Sequence, residues 1–464
     1  MAVPATAGRA PRTSARARGR PVRLWDRAVP NPGGSRRPIR ALDDFDDVRY
    51  YLRMSAAPTS FPKDQIKILL LENVAKTALE IFDAEGFQVE FLKTSLPPDE
   101  LAHKIADVHV LGIRSKTQVP ASALVHARRL LTLGCFCIGT NQVDLVGANA
   151  HGVPVFNAPF SNTRSVAELM IAEIITLARQ LGDRSREVHS GNWRKMAVGC
   201  WEVRGKTLGI VGYGHIGRQL GVLAEMIGMH VLFYDIMSKL PMGNNVAAST
   251  LNEVLEKADF VSLHVPETPQ TKNMIGQAEL GRMKKGAYLL NASRGTVVVI
   301  PALAEALASG HLAGAAIDVY PEEPEANSSD GFKTPLQGLG NVILTPHIGG
   351  STEEAQAAIG REVASALVKF VNAGSTTGAV NFPVIEAPEL RGAHRILNVH
   401  RNVPGVLRDI NRIVSDLNAN IQSQILATDP NLGYLIMDID KDVSNDVRKA
   451  IAALETNIRT RILY

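Results

Sequence analysis

Four polar clusters interrupt the apolar runs in the second half of the chain: His264-Val265-Pro266, Asn291-Ala292-Ser293-Arg294-Gly295, Asp318-Val319-Tyr320-Pro321-Glu322-Glu323 and Pro346-His347-Ile348-Gly349-Gly350. Among them are a histidine, an arginine and a carboxylate that together could oxidise a hydroxy acid. Hydride can leave the carbon of a secondary alcohol only if the oxygen loses its proton, and His347 carries the side chain that titrates nearest neutrality. A carboxylate at Glu323 would hold the ring and favour its protonated form during turnover. Arg294 offers a planar fork of donors for a substrate carboxylate, fixing the reacting carbon. Any one of these alone reads as well as a solvated loop residue; the three together fit a 2-hydroxy-acid dehydrogenase.

The hydride acceptor has its own signal. Gly212-Tyr213-Gly214-His215-Ile216-Gly217 matches G-x-G-x-x-G, a weak motif alone but here set between an apolar strand, Leu208–Val211, and a helical stretch, Arg218–Ile227. The glycines allow a tight turn, close approach of a pyrophosphate and close helix–strand packing, with the phosphates on free N–H groups at a helix start. The next strand ends at Asp235, 18 residues past Gly217. A carboxylate there accepts from both ribose hydroxyls and repels a 2′-phosphate, so NAD is preferred to NADP.

The elements that must position these groups alternate short apolar runs with amphipathic stretches, the pattern of a parallel sheet wrapped by helices. In a first block, Ile66–Leu71, Val108–Ile113 and Val153–Phe156 read as strands, and Ala75–Glu85 and Asp99–Ala106 as helices. A long helix follows over Ser165–Leu181, with a Ser165–Glu168 capping box. The second block has strands at Thr207–Val211, His230–Tyr234, Phe260–Val265, Ala287–Asn291, Ala315–Val319 and Val342–Thr345, then a helix over Thr352–Asn372. In such a sheet ligands bind beyond the carboxyl ends of the strands, where the four polar clusters fall. Residues 394–464 change rhythm to strand–helix–strand–strand–helix–strand, the ferredoxin-like order, with Pro404 opening the first helix.

The expected architecture is α/β: two doubly wound Rossmann-like domains, the first flavodoxin-like, and a ferredoxin-like C-terminal unit. The expected boundaries are a basic leader over 1–60, a substrate domain over 61–161 completed by 348–375, a dinucleotide domain over 162–347, a linker over 376–393 and the last unit over 394–464. The excess positive charge is local: residues 1–53 hold 12 Arg, no Lys and 5 acidic residues, leaving 38 basic against 41 acidic residues in the body. The body therefore carries no nucleic-acid footprint, and no stretch is apolar enough to cross a membrane. The leader reads either as residues upstream of a working start at Met54, in a cytoplasmic protein, or as an organelle transit peptide; the first reading is adopted. Its composition predicts disorder. Cys135, Cys137 and Cys200 suit a reducing compartment, the first two reading as buried small hydrophobes, with no cluster that would complete a metal site.

Gly-Tyr-Gly-His-Ile-Gly, Asn-Ala-Ser-Arg-Gly-Thr-Val-Val, Ala-Ala-Ile-Asp-Val-Tyr and Thr-Pro-His-Ile-Gly-Gly-Ser-Thr resemble the D-isomer-specific 2-hydroxy-acid dehydrogenases. Over roughly 61–464 the chain more closely resembles the short-form, phosphoglycerate-oxidising branch with a C-terminal ACT domain. The resemblance implies that Arg294, Glu323 and His347 are catalytic. It implies NAD contacts from Gly212, Gly214, His215, Ile216, Gly217, Asp235, Ala292, Ser293, Arg294, Asp318, His347, Gly349 and Gly350, with Val265 and Pro266 at the adjoining strand end. It places substrate contacts on Arg114, Ser115 and Asn162, while Trp193-Arg194-Lys195 could close over the site and Lys195 joins the substrate set.

The implied reaction is oxidation of 3-phospho-D-glycerate to 3-phosphooxypyruvate, the first step of serine synthesis, with 2-oxoglutarate reduction as a side activity. His400, Asn402 and Asn420 resemble an effector site where L-serine sits between paired ACT domains, and the family is usually a homotetramer. A glyoxylate or hydroxypyruvate reductase would keep the trio but has no need of an ACT unit. Formate dehydrogenases carry Gln at the place of Glu323, and an NAD-sensing corepressor would need a recruitment cleft that nothing here suggests.

Overall fold

The computed structural model describes residues 60–324, 331–388, 390 and 392–464. The basic leader expected over 1–60 lies outside these residues, Ser60 excepted. The first sheet is wholly parallel: β1 (Lys67–Leu70), β2 (Gln88–Phe91), β3 (Val110–Ile113), β4 (Thr132–Cys135) and β5 (Val155–Asn157), in the order β2-β1-β3-β4-β5. This is the flavodoxin-like order. The central strands β1, β3 and β4 are almost entirely buried, because helices cover both faces.

Two of these strands are absent from the sequence reading. β2 is an edge strand with only half its side chains sheltered, so Gln-Val-Glu-Phe carries little apolar signal. β4 contains Gly134, where a Cβ would come within 2.6 Å of Val363 Cγ1; the glycine lets the second crossover helix lie close but lowers strand propensity.

The second sheet is also parallel: β6 (Thr207–Val211), β7 (His230–Tyr234), β8 (Val246–Ala247), β9 (Phe260–Leu263), β10 (Ala287–Asn291), β11 (Leu312–Ile317) and β12 (Val342–Leu344), in the order β12-β11-β10-β9-β6-β7-β8. Counted from β6 this is the doubly wound order, with its reversal between β6 and β9. Two helices connect the sheets. Thr163–Arg179 (α1) buries Val166, Met170, Ile174 and Leu177 at helical spacing, and Glu353–Ala373 (α2) buries Ile359, Val363 and Leu367. Thr352 caps α2 by accepting the Ala355 N–H at 3.2 Å.

Around α1 the structure differs from expectation. The helix begins at Thr163, which puts Ser165 inside the first turn, and Ser165 Oγ donates to Gly349 O at 2.7 Å rather than capping. Glu168 pairs with Arg164. The helix stops at Gln180, where φ is 52°, and a separate helix runs over Leu181–His189.

The third sheet is antiparallel, with β13 (His394–Arg401), β14 (Ile421–Thr428), β15 (Leu432–Ile439) and β16 (Asn457–Leu463) in the order β14-β15-β13-β16. Its helices are Val406–Asp416 (α3) and Ser444–Ala452 (α4). The order is ferredoxin-like, but Pro404 does not open α3; Gly405, at φ 94°, is the N-cap.

The segment expected as a linker is stitched to the first sheet: Asn381 Oδ1 accepts the Val155 N–H at 2.8 Å, and Val380 N donates to Val155 O at 2.8 Å. One face of the third sheet meets α2, where Arg461 donates to Phe370 O at 3.2 Å and lies 4.9 Å from the centre of the Phe370 ring. Arg395, fully buried, donates from Nε and Nη2 to the two oxygens of Asp438 at 2.7 and 2.8 Å, and from Nη1 to Ala373 O and Pro388 O. This one guanidinium ties the third unit to the end of α2. Removing it strands a buried carboxylate, so Arg395→Met is expected to destabilise the C-terminal unit by about 3 kcal/mol, read as an early unfolding transition in urea.

Candidate active site

The site is built from strand ends. Asn291 closes β10 with no exposed surface, and its side chain clamps the turn that follows: Oδ1 accepts Ser293 N–H at 3.1 Å and Ser293 Oγ–H at 2.8 Å, while Nδ2 donates to Arg294 O at 3.0 Å. Arg294 therefore leaves the turn in a fixed direction, Nη1 donating to Ser293 O at 2.7 Å. The next residue must be glycine, because a Cβ at Gly295 would lie 1.9 Å from the carbonyl carbon of Tyr320. That contact locks the Arg294 turn to the segment carrying Glu323.

Beyond β11, Asp318 is 1% exposed, and its carboxylate gathers the second crossover: Oδ1 accepts Ile348 N–H at 2.8 Å and Thr345 Oγ1–H at 2.6 Å, and Oδ2 accepts Gly349 N–H at 2.8 Å. The His347 N–H donates to Asp318 O at 2.8 Å, and His347 itself is held at φ 54°, an uncommon conformation for a side-chain-bearing residue. The loop is thus shaped around Asp318, and the imidazole projects from it.

His347 Nδ1 meets Glu323 Oε2 at 2.7 Å, while Glu323 Oε1 accepts the Tyr320 N–H at 3.0 Å. That hydrogen bond to Glu323 raises the His347 pKa; burial opposes it, the negative charges of Glu323 and Asp318 add to the rise, and Arg294 subtracts. Burial disfavours the Glu323 carboxylate, but hydrogen bonds from His347 and Tyr320, with the charges of His347 and Arg294, hold its pKa below the usual value. Arg294, Glu323 and His347 are therefore electrostatically one cluster, as the sequence reading expects, with Nε2 of His347 left for substrate.

The dinucleotide cradle lies at the end of β6. A Cβ at Gly212 would lie 2.4 Å from His264 O, and one at Gly217 would lie 2.3 Å from Gly212 O. The helix His215–Met226 starts directly after Gly214, with no side chain capping its free N–H groups. Asp235 accepts Tyr213 N–H at 2.8 Å and Met237 N–H at 2.9 Å, which fixes its carboxylate at the rim. Glycines that admit no side chain, free N–H groups at a helix start and a fixed acid on the neighbouring strand fit NAD. Gly212, Gly214, His215, Ile216 and Gly217 would hold its phosphates and Asp235 its ribose, with Val265 and Pro266 along the adjoining strand end. His264 is neutral, its pKa pushed down to about 4 by burial.

The first sheet supplies the opposite wall. Glu72, 6% exposed and with φ at 63°, follows β1 and accepts N–H bonds from Arg114 at 3.2 Å, Lys116 at 2.9 Å and Thr117 at 2.8 Å. It shapes the loop that presents Arg114 and exposed Ser115. Arg294 faces this wall, its Nη2 3.6 Å from where a Cβ of Gly139 would be. Cys137 feels the charges of both Arg114 and Arg294, but burial pushes its thiol up to about 11. Asn162 abuts Gly350, and its Oδ1 is buried without a hydrogen-bond partner among the described residues.

One expectation fails on geometry. Lys195 does not close over this chain's own site: Trp201 N donates to Ala178 O at 2.8 Å and Cys200 Sγ meets Arg179 O, so the arm bearing Trp193, Arg194 and Lys195 packs at the far end of α1. That end is about 25 Å from Asn162, the length of a helix of 17 residues. Within one chain Asn420 stands apart from His400 and Asn402, so a site between paired domains would take it from the second domain. It precedes Ile421, which aligns through Ile439 with His394, so it sits at the other end of the sheet, about 20 Å away. His400 is buried beside Asn398, and Asn402 is exposed, donating to Asp429 O at 2.7 Å.

Three contributors escape the sequence reading. Glu72 follows a strand end, a position that could have marked it. Glu173, on the apolar face of α1, is 4% exposed with both oxygens unpartnered among the described residues; burial, then the charge of Asp318, pushes its pKa up to about 8. A glutamate three residues after Met170 on that face is the available signal. Tyr213, within the glycine loop, stacks on Phe233 with centroids 3.6 Å apart, and its hydroxyl bridges Asn245 and the Met242 N–H.

Known proteins of similar sequence and fold show the family. Residues 171–349 match the family described as D-isomer specific 2-hydroxyacid dehydrogenase, NAD binding domain, and residues 396–459 match an AHAS small subunit-like ACT domain. The chain is 59% identical over 406 residues to D-3-phosphoglycerate dehydrogenase of Dictyostelium discoideum, covering 88% of this chain and 99% of that one. It is 52% identical over 411 residues to D-3-phosphoglycerate dehydrogenase of Escherichia coli (strain K12), covering 88% and 100%. A structure of D-lactate dehydrogenase from Aquifex aeolicus, complexed with NAD and lactic acid, superposes with a TM-score of 0.59 at 26% identity, covering 68% of this chain and 99% of that one.

In the oxidative direction only unprotonated His347 can accept the substrate proton. Turnover is expected to fall on acidification with a midpoint above the ordinary histidine value of 6.5; Glu323→Gln should move that midpoint down and slow turnover by about 10-fold or more, read from kcat against pH. For Glu173 the folded pKa is raised above the unfolded value of 4.5. Its proton-linked stability is complete below 4.5 and lost as pH rises through about 8. Glu173→Gln is therefore expected to raise the thermal midpoint by about 2 °C or more at pH 8 and by less at pH 5.

Proposed function

Because the chain belongs to the D-3-phosphoglycerate dehydrogenase family of D-isomer-specific 2-hydroxyacid dehydrogenases, we propose that it oxidises 3-phospho-D-glycerate to 3-phosphooxypyruvate, opening L-serine synthesis. It is an NAD-dependent oxidoreductase. NAD, when bound, accepts the hydride; every other task falls to the protein. Arg294 holds the substrate carboxylate by its guanidinium fork. His347 takes the hydroxyl proton at Nε2, and Glu323 at Nδ1 stabilises the imidazolium that results. Arg114 and Ser115, on the loop shaped by Glu72, receive the phosphate, and Asn162 lies at the crossover between the two walls.

The observation that carries this reading is the 2.7 Å bond between His347 and Glu323 beside Arg294, facing a wall that supplies a second arginine. That second cation is why a phosphorylated acid is preferred to the glyoxylate or hydroxypyruvate of related reductases. The C-terminal ACT domain supports serine as a feedback effector, acting only if serine binds a less active arrangement more tightly. Trp193, 86% exposed on an arm with Val198 and Trp201, supports self-association, since an apolar arm of this kind gains by covering a second copy; the homotetramer is the family's usual assembly. Three free cysteines suit the cytoplasm.

The test is NADH formation at alkaline pH with 3-phosphoglycerate against D-glycerate. The enzyme is expected to favour the phosphorylated acid by about 100-fold or more in kcat/KM. Activity with D-glycerate alone would overturn the substrate.

A further inference from the structure

We infer that Asn398 is a positioning residue that fixes which nitrogen of His400 carries its proton, so that the effector pocket receives a ligand through that ligand's own N–H or O–H donors. The inference rests on reading the third unit as a serine-responsive domain.

The tautomer is set by an acceptor that cannot be reversed. Asn457 Nδ2 donates to Ala452 O at 3.2 Å; a carbonyl only accepts, so the amide orientation of Asn457 is set and its Oδ1 faces the sheet. That oxygen accepts Thr460 Oγ1–H at 2.7 Å and Asn398 Nδ2–H at 3.0 Å. The Thr460 hydroxyl, its proton given away, accepts the second N–H of Asn398 at 2.9 Å. Both protons of the Asn398 amide are thereby placed. Its Oδ1 can only accept, and it lies 2.8 Å from His400 Nδ1. Nδ1 must carry the hydrogen.

The backbone makes this network possible. Asn398 and His400 are two apart on β13 and share a face of the sheet; Asn398 pairs across with Thr460. Asn457 and Thr460, three apart, would ordinarily face opposite sides. The register slips between Val399, opposite Arg459, and His400, opposite Asn457, and this bulge brings Asn457 onto the face of Thr460.

The ring's hydrogen bond among the described residues is made by Nδ1, which leaves His400 Nε2 with a bare lone pair. It lies against Gly433, where a Cβ would come within 2.3 Å. The groups facing the ring are Asn398 on its own strand, Asn457 and Thr460 on β16 and Gly433 on β15, none of them charged, and burial alone lowers its pKa. A neutral ring offering only an acceptor attracts an ammonium or hydroxyl and repels a carboxylate. The ligand class is a small amino acid that presents its amine or hydroxyl to His400.

The test measures serine inhibition of the full-length enzyme against pH, each variant scored relative to its own uninhibited rate. For the wild type, inhibition is expected to weaken on acidification, once the ring is protonated and Nε2 no longer accepts. Asn398→Asp keeps the shape but sets a carboxylate beside Nδ1, which favours the imidazolium, so the loss of inhibition should move to higher pH. Asn398→Leu should raise the half-inhibitory serine concentration by about 10-fold. An Asn398→Asp enzyme with the wild-type pH dependence, or an Asn398→Leu enzyme inhibited at wild-type serine, would overturn the inference. If serine does not inhibit the wild type at all, the effector reading fails instead. The tautomer is then read directly from ¹⁵N-histidine-labelled enzyme, with His400→Gln to assign the signal: a protonated Nδ1 supports the inference and a bare Nδ1 overturns it.

Discussion

The buried carboxylate of Asp318 is the constraint on which the catalytic geometry depends. A carboxylate this deep is costly unless its lone pairs are filled, and here two backbone N–H groups and a threonine hydroxyl fill them. All three belong to the Thr345–Gly349 segment, so satisfying the charge and shaping the loop are the same event. His347 is held at its unusual backbone angle by that event, and its ring then meets Glu323 from the same β11 connection. Strain of this kind persists only where the surroundings over-determine it.

The device recurs. Glu72 collects three N–H groups and shapes the Arg114 loop, and Asp235 collects two and fixes the rim of the dinucleotide cradle. Each acid follows the carboxyl end of a parallel strand, where helix starts and loops leave N–H groups free. The crevice thus has rigid walls assembled from residues far apart along the chain, with anionic anchors beneath and cationic groups, Arg114 and Arg294, on top. The contrast suits a substrate with two anionic groups, a carboxylate and a phosphate.

Much of this was legible in the sequence, for physical reasons. Parallel strands buried on both faces print as apolar runs, and the polar residues that break those runs mark the crevice; that is how Arg294, Glu323 and His347 could be read together. The glycine loop was legible because close backbone approach at Gly212 and Gly217 leaves no room for a side chain. The failures have causes as well. β2 is half exposed and β4 contains a glycine, so both lose the apolar signal. Ser165 has the spacing of a cap, but the helix begins two residues earlier and its hydroxyl serves Gly349. Lys195 lies far from its expected companions, since neighbourhood in a motif says nothing about which end of a helix a residue occupies. Glu72 and Glu173 act by what they hold or repel, which spacing does not record.

The most direct measurement takes one preparation of His347→Ala and determines both NAD affinity and turnover with 3-phosphoglycerate. The account predicts nearly unchanged NAD affinity, because the cradle at β6 does not use this ring, with turnover lower by about 100-fold or more. Turnover at the wild-type rate in a variant that still binds NAD would contradict it, because proton removal would then belong to some other group.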